Sequence, residues 1–262
     1  MITRVLTLSA LLGLTGPLVG LAPVAPVAPV DPPAVRLVTV ITHDFAFELP
    51  DVLQAGLTTF RLRNEGREPH HLMLYRLDPG RSLGDVLRAL SAGGAHPAWM
   101  HAVGGPNAVP HGGVSTGTVR LGPGAYVAFC HVKSPDQRLH FAKGMMKSLT
   151  VTPAHAPMAP LPAADLTVTL REYDFDFSGP LTRGWHLSPG KTSQDFIAWM
   201  NTQRGRPPVT PAGGTTDLSA GDTMVIDVLL QPGAYSLVCR VRDEVNGRPH
   251  DEHGMYDQFV VP

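Results

Sequence analysis

The sequence predicts an all-β protein: two Greek-key β-sandwich domains in tandem, each with one short helix. Three observations carry that expectation. Gly (27) and Pro (26) make up about a fifth of the 262 residues while charged residues are only 16%, a turn-rich composition that excludes long helical bundles and coiled coils. Short β-branched or aromatic runs are bounded by Gly, Pro or Asn along the chain. The chain also repeats itself, since Pro123-Gly-Ala-Tyr126-Val-Ala-Phe-Cys130 returns as Pro232-Gly-Ala-Tyr235-Ser-Leu-Val-Cys239. Hydrophobic residues at 43% exclude a disordered chain, and a net charge of -1 leaves no basic footprint for nucleic acid. Two cysteines exclude both a disulfide-dense scaffold and a four-cysteine zinc site.

The elements follow in order. One positive charge in Met1-Ile-Thr-Arg4, then an apolar run from Val5 to Ala22, has the layout of a secretory signal. Ala-Pro-Val repeats from Pro23 to Pro33 read as a polyproline-like spacer. Residues 1–34 are therefore expected to be signal peptide and spacer, placing the mature protein in the periplasm or outside the cell. Membrane association is expected only if that segment stays uncleaved. The first domain spans 35–153, with strands over Val38–Thr42, Thr58–Leu62, Leu72–Tyr75 and Val127–Cys130. Ser82-Leu-Gly-Asp85 reads as a capping box opening a short helix through Val86, Leu87 and Leu90. A Pro/Ala linker covers 154–163. The second domain spans 164–262, with strands over Leu166–Leu170, Met224–Leu229 and Tyr235–Val238 and a second capping box at Thr192-Ser-Gln-Asp195.

Three further anchors support the repeat. Leu77-Asp-Pro79-Gly80 matches Leu187-Ser-Pro189-Gly190, Asp44-Phe-Ala-Phe47 matches Asp174-Phe-Asp-Phe177, and Gly144-Met145 matches Gly254-Met255. The second unit lacks a stretch corresponding to Gly56–Arg76, or about two strands, which would leave a sheet edge needing cover, expected from the first unit.

The late loops carry the chemistry. Nine residues separate Cys130 from His140, and four separate His140 from Met145; ten separate Cys239 from His250, and four separate His250 from Met255. Thiolate, imidazole and thioether together select copper. Copper(I) favours the sulfurs and copper(II) accepts imidazole, so a mixed site suits single-electron exchange. A further His is available at Asn64-Glu-Gly-Arg-Glu-Pro69-His70-His71, directly before the strand at Leu72.

This pattern resembles the cupredoxin family, the type 1 blue copper proteins of the plastocyanin kind. The likeness covers 35–153 well and 164–262 in part. It implies His70, Cys130, His140 and Met145 as copper ligands in the first domain, and Cys239, His250 and Met255 as an altered or degenerate second set. It implies one-electron transfer rather than catalysis, with a redox protein docking near an exposed His edge. Copper storage or delivery, and a metal-free binding module, are the alternative functions. A two-domain copper enzyme would need extra histidines, yet Phe129 precedes Cys130 and no His-X-His occurs.

Neighbouring residues have other readings. Strand alternation sends His71 to the face opposite His70. Met146 is expected in the core and His131 beside or outside the site. His96, His101 and His111 read as solvated loop histidines. Both cysteines, occupying the same place in each repeat, are expected to be free thiolate ligands rather than a disulfide.

Overall fold

The computed structural model describes residues 35–93, 96–154, 158–178 and 185–262, leaving aside the side chains of Trp185 and His186. The expected signal and spacer, residues 1–34, lie outside the described residues. No helix among the described residues is long and apolar enough to cross a membrane.

The first half alternates between two facing sheets. Its elements are β1 (Arg36–His43), β2 (Ala46–Glu48), β3 (Val52–Gln54), β4 (Gly56–Asn64), β5 (Met73–Leu77), α1 (Leu83–Ala92), β6 (Met100–Gly104), β7 (Val114–Leu121), β8 (Gly124–Phe129), a 3₁₀ turn at His140–Lys143 and β9 (Met146–Thr152). One sheet has the order β2-β1-β4-β7 and the other β3-β9-β8-β5-β6. The β1–β4 and β3–β9 pairs are parallel. Parallel neighbours cannot be joined by a tight hairpin, so the chain crosses from sheet to sheet between them.

Strand alternation builds the core. Along β4, Phe60, Leu62 and Asn64 face inward while Arg61 and Arg63 face solvent. Phe60 and Leu62 pack with Val38, Val40, Leu74, Ala128, Leu149 and Val151 between the sheets. Cys130 and Met145 belong to the same cluster. The outer face of the second sheet is also apolar, and α1 covers it: Val86 and Leu90 join Met73, Tyr75, Val127, Phe129 and Phe141. Met146, expected in the core, is half-buried against this outer cluster. The capping box is present, with the Asp85 N–H donating to the Ser82 hydroxyl and the Ser82 N–H donating to Asp85 Oδ2 at 2.8 Å.

The second half contains β10 (Val168–Arg171), β11 (Asp174–Phe177), β12 (Trp185–Leu187), α2 (Ser193–Thr202), β13 (Val209–Thr210), β14 (Gly233–Val238), a 3₁₀ turn at His250–His253 and β15 (Tyr256–Val261). β10 and β11 form a hairpin, and the remaining strands a sheet of order β13-β12-β14-β15. Leu187, Phe196 and Val209 form its small core, with α2 capped by Thr192 and Asp195 as the sequence predicts.

Two expectations change. Met224–Leu229 is not a strand; its only ladder contact among the described residues is a single bridge between Val225 and Thr118 of β7. No counterpart of β4 lies beside it among the described residues, so the segment pairs with the edge of the first half instead. Further bridges join Leu218 to Val103 and Thr215 to Pro106. Met224 enters a space that exists because Gly104 and Gly117 lack side chains: a Cβ there would lie 2.8 Å from its Sδ and 2.5 Å from its Cε. The two Asp-Phe anchors are also out of register by two residues. The hairpin turns fall at Asp44-Phe45 and at Glu172-Tyr173, so Phe45 stands where Tyr173 stands. Both aromatic residues have positive φ, 67° and 61°.

Candidate metal centre

The loop from Asn64 to His70 is held by a side chain at the end of β4. Asn64 is fully buried. Its amide donates to the carbonyls of Glu68 (2.8 Å) and Val109 (2.9 Å), and its Oδ1 accepts from the Gly66 N–H (2.9 Å) and the Thr42 hydroxyl (3.1 Å). Only glycine fits at 66, where a Cβ would lie 2.7 Å from both Asp44 Oδ1 and His70 Nε2. His70 is then fixed by a two-way main-chain bridge with Val109. The second loop is equally determined. The Cys130 N–H donates to the Met145 carbonyl at 3.2 Å, and the Cys130 carbonyl accepts from Phe141 N–H at 2.9 Å. Gly144, at φ 106°, lets the chain leave the 3₁₀ turn so that Met145 N–H reaches the His140 carbonyl.

These loops bring three donors together. His70 Nδ1 lies 3.0 Å from His140 Nδ1, and Cys130 Sγ lies 3.5 Å from His140 Nδ1. Among the described residues this is the one group of three His, Cys or carboxylate donors within 4.8 Å of each other. All three residues are 0% exposed, as is Met145.

The outer nitrogens are occupied. His140 Nε2 lies 2.9 Å from Glu68 Oε2, and His70 Nε2 lies 3.4 Å from Asp44 Oδ1. A carboxylate can only accept there, which places the proton on Nε2 and leaves the Nδ1 lone pairs converging with the sulfur. Converging lone pairs in a dry pocket repel unless a cation lies among them. Two imidazoles and a buried thiol therefore fit copper.

Electrostatics agree. Burial, then His140, holds His70 down at about 4. Burial lowers His140 against the pull of Glu68. Both rings are thus neutral and able to ligate at neutral pH. Burial pushes the Cys130 thiol up to about 12, although the main-chain N–H groups of His71 and Val132 oppose it. A metal is needed to make that sulfur a thiolate. For Asp44, burial favours protonation, but the N–H groups of Glu68 and Arg67 outweigh it and lower its pKa.

The other histidines are dispersed. His71 accepts from the His131 N–H at 3.2 Å, its Nδ1 has no partner among the described residues, and burial pushes it down to about 3. His131 stacks on Phe141 with centroids 5.5 Å apart. His96 lies 2.6 Å from the Tyr75 hydroxyl, His101 2.8 Å from Asp78, and His111 2.9 Å from the Gly66 carbonyl. The two cysteines are free and buried. In the second half Cys239 Sγ lies 3.6 Å from His250 Nδ1, and Met255 is 2% exposed. His253 faces Asn246, with Tyr173 4.5 Å away.

Sequence reasoning gave Asp44 and Phe45 only as part of a repeat anchor and did not connect them, or Glu68, with the metal centre. The Phe45 ring meets His140 edge-on at 5.2 Å, and Lys143 Nζ sits 4.6 Å from its centroid. No exposed His edge therefore exists at this centre, contrary to the sequence-based expectation. Only the proximity of Glu68 to His70 in the chain hinted at such cover.

The sandwich and its buried His–Cys–His group define the class: the fold is cupredoxin-like, with a donor set suited to copper. No protein-family model and no curated protein matches the chain. Similar solved structures include a reduced auracyanin from the photosynthetic bacterium Roseiflexus castenholzii, at 20% identity and TM-score 0.33, covering 46% of this chain and 100% of that one. Auracyanin A, a blue copper protein from Chloroflexus aurantiacus, is similar at 18% identity and TM-score 0.34, covering 45% and 100%. A blue copper oxidase from Nitrosomonas europaea is similar at 18% and 0.28, covering 78% and 60%. The assignment of class rests on the sheets and the donor set themselves.

Proposed function

We propose that the chain is an exported cupredoxin that carries single electrons at a type 1 copper, which His70, Cys130 and His140 would hold with the Met145 thioether as a further donor. The ligand-bearing domain spans 35–153, and 164–262 is a shortened second copy. The observation that carries this reading is the convergence of two Nδ1 atoms and one sulfur in a fully buried pocket. Bound copper supplies a one-electron couple between cuprous and cupric states. The protein orients the two imidazoles through Asp44 and Glu68 and excludes water from the donors. A redox protein would dock over Phe45, which covers His140, rather than on a bare imidazole.

Copper(II) titration of the metal-free chain with visible spectroscopy tests this. An intense thiolate-to-copper band is expected, lost in Cys130→Ala and kept in Cys239→Ala. Wild-type protein without a band would refute it.

One observation favours a copper-handling role instead. Both imidazoles are 0% exposed, which narrows the route for electrons. Rapid metal release to a chelator, without a stable redox couple, would favour that second reading.

A further inference from the structure

We propose that Cys239, His250 and Met255 form a second metal site, distinct from the first in that it takes cuprous copper and does not stabilise cupric copper. The second loop repeats the first hydrogen bond by hydrogen bond. Cys239 N–H donates to the Met255 carbonyl at 3.1 Å, where Cys130 donates to Met145 at 3.2 Å. Asp251 N–H donates to the Cys239 carbonyl at 2.9 Å, as Phe141 does to Cys130. His250 N–H reaches the Val241 carbonyl at 2.9 Å, as His140 reaches Val132. Met255 N–H reaches the His250 carbonyl at 3.0 Å, and Gly254 has φ 97° where Gly144 has 106°. The extra residue between Cys239 and His250 is absorbed without moving these bonds. The sulfur–nitrogen separation is accordingly the same, 3.6 Å against 3.5 Å. Even the ring cover is kept: Tyr173 meets His250 edge-on at 5.2 Å, as Phe45 meets His140.

The burial of the sulfurs is not accounted for by the local core. Cys130 and Met145 belong to the main hydrophobic cluster of the first half. Cys239 and Met255 are 7% and 2% exposed, yet the cluster of the second half is built on Leu187, Phe196 and Val209. One sulfur and a ring nitrogen, those of Cys239 and His250, thus meet on a loop shaped like a ligand loop, and buried Met255 follows the same left-handed glycine as Met145.

What differs is the fourth donor. The described residues contain no second imidazole or carboxylate grouped with Cys239 and His250. A cupric ion asks for nitrogen donors in a tetragonal or trigonal field, whereas a d¹⁰ cuprous ion has no ligand-field preference and is satisfied by few, soft donors. Removing one imidazole from a mixed site leaves sulfur in the majority, which shifts its preference to the cuprous state. On binding, the Cys239 thiol releases its proton to solvent and the sulfur becomes the ligand.

Anaerobic titration of the full metal-free chain with copper(I), in competition with bicinchoninate, tests the site. Wild type is expected to hold two cuprous ions per chain, and Cys130→Ala and Cys239→Ala one each. Met255→Leu, which preserves shape, is expected to weaken only the site that survives in Cys130→Ala. Cupric titration of wild type should still give a single thiolate band, unchanged in Cys239→Ala. A single cuprous ion in wild type, or none in Cys130→Ala, overturns the proposal, as would a second cupric-thiolate band lost in Cys239→Ala. A cuprous ion retained in Cys130→Ala is assigned to the second site by its loss on adding Cys239→Ala, so the result does not depend on whether the first centre transfers electrons.

Discussion

At the residue scale, the carboxylates behind the imidazoles are the most informative contacts. Glu68 holds His140 Nε2 at 2.9 Å and brings negative charge next to the donor set. Negative charge favours the more oxidised metal, and partners of this kind tune affinity by 10–100-fold. Glu68→Gln is expected to raise the copper reduction potential and weaken cupric affinity by about tenfold. A potentiometric titration reads the first and chelator competition the second; an unchanged potential would show that Glu68 acts only as packing. Gly66 is the second sensitive position. Its replacement by Ala forces a Cβ against Asp44 and His70, an overpacking that costs about 1–3 kcal/mol, measurable by chemical denaturation of the metal-free chain. The family resemblance named His70 rather than His71 by its place after Pro69, while alternation said only that the two face opposite ways. His70 faces the pocket between the sheets, while His71 turns to the His131 backbone.

At the element scale, each helix is set by a local device. Ser82 and Asp85 close the first turn of α1, and Thr192 and Asp195 that of α2. Ser82→Ala and Thr192→Ala should each lower stability by about 1 kcal/mol, and the double variant by the sum, since the helices share no partner. Equal stability in either single variant would show that packing alone holds that helix. Acid should act on the same caps. Hydrogen bonds from the Ser82 hydroxyl and N–H hold the Asp85 carboxyl below its ordinary value, so the folded state binds its proton less readily than the unfolded chain. The cap's contribution is complete above the unfolded carboxylate value of about 3.9 and is lost as pH falls through the lower, folded one. Wild type should therefore lose more stability on acidification than Asp85→Asn. Both caps were legible in the sequence because a capping box spans only four residues. The failed strand at Met224–Leu229 shows the converse. Its composition suits a strand, yet a ladder needs a neighbour, and the composition of a segment does not say whether one is present.

At the scale of the whole molecule, the two halves are joined by what the second half lacks. The segment 215–225 lies along the first half at Val103, Pro106 and Thr118, with Met224 seated over Gly104 and Gly117. The Tyr75 hydroxyl, under α1, donates to Asp217 at 2.9 Å across the same junction. Met224→Ala should cost about 2 kcal/mol through the cavity it leaves, and Tyr75→Phe about 1 kcal/mol through the lost hydrogen bond to Asp217. Both losses should appear in a single unfolding transition if the halves unfold together. Two separated transitions in wild type would show that the junction does not couple them.

The sequence by itself determined the donor types, their order and spacing, the two helix caps, the all-β class and the shortfall in the second half. These are properties of composition and of residues a few positions apart, where chain geometry leaves little choice. Only the tertiary structure decided which atoms converge, that Asp44 and Glu68 stand behind the imidazoles, that Phe45 covers His140, and that the second half pairs with β7. Each of those joins residues tens of positions apart across a sandwich. Their contact depends on sheet order and register, and register by two residues was enough to move an anchor from Phe175 to Tyr173.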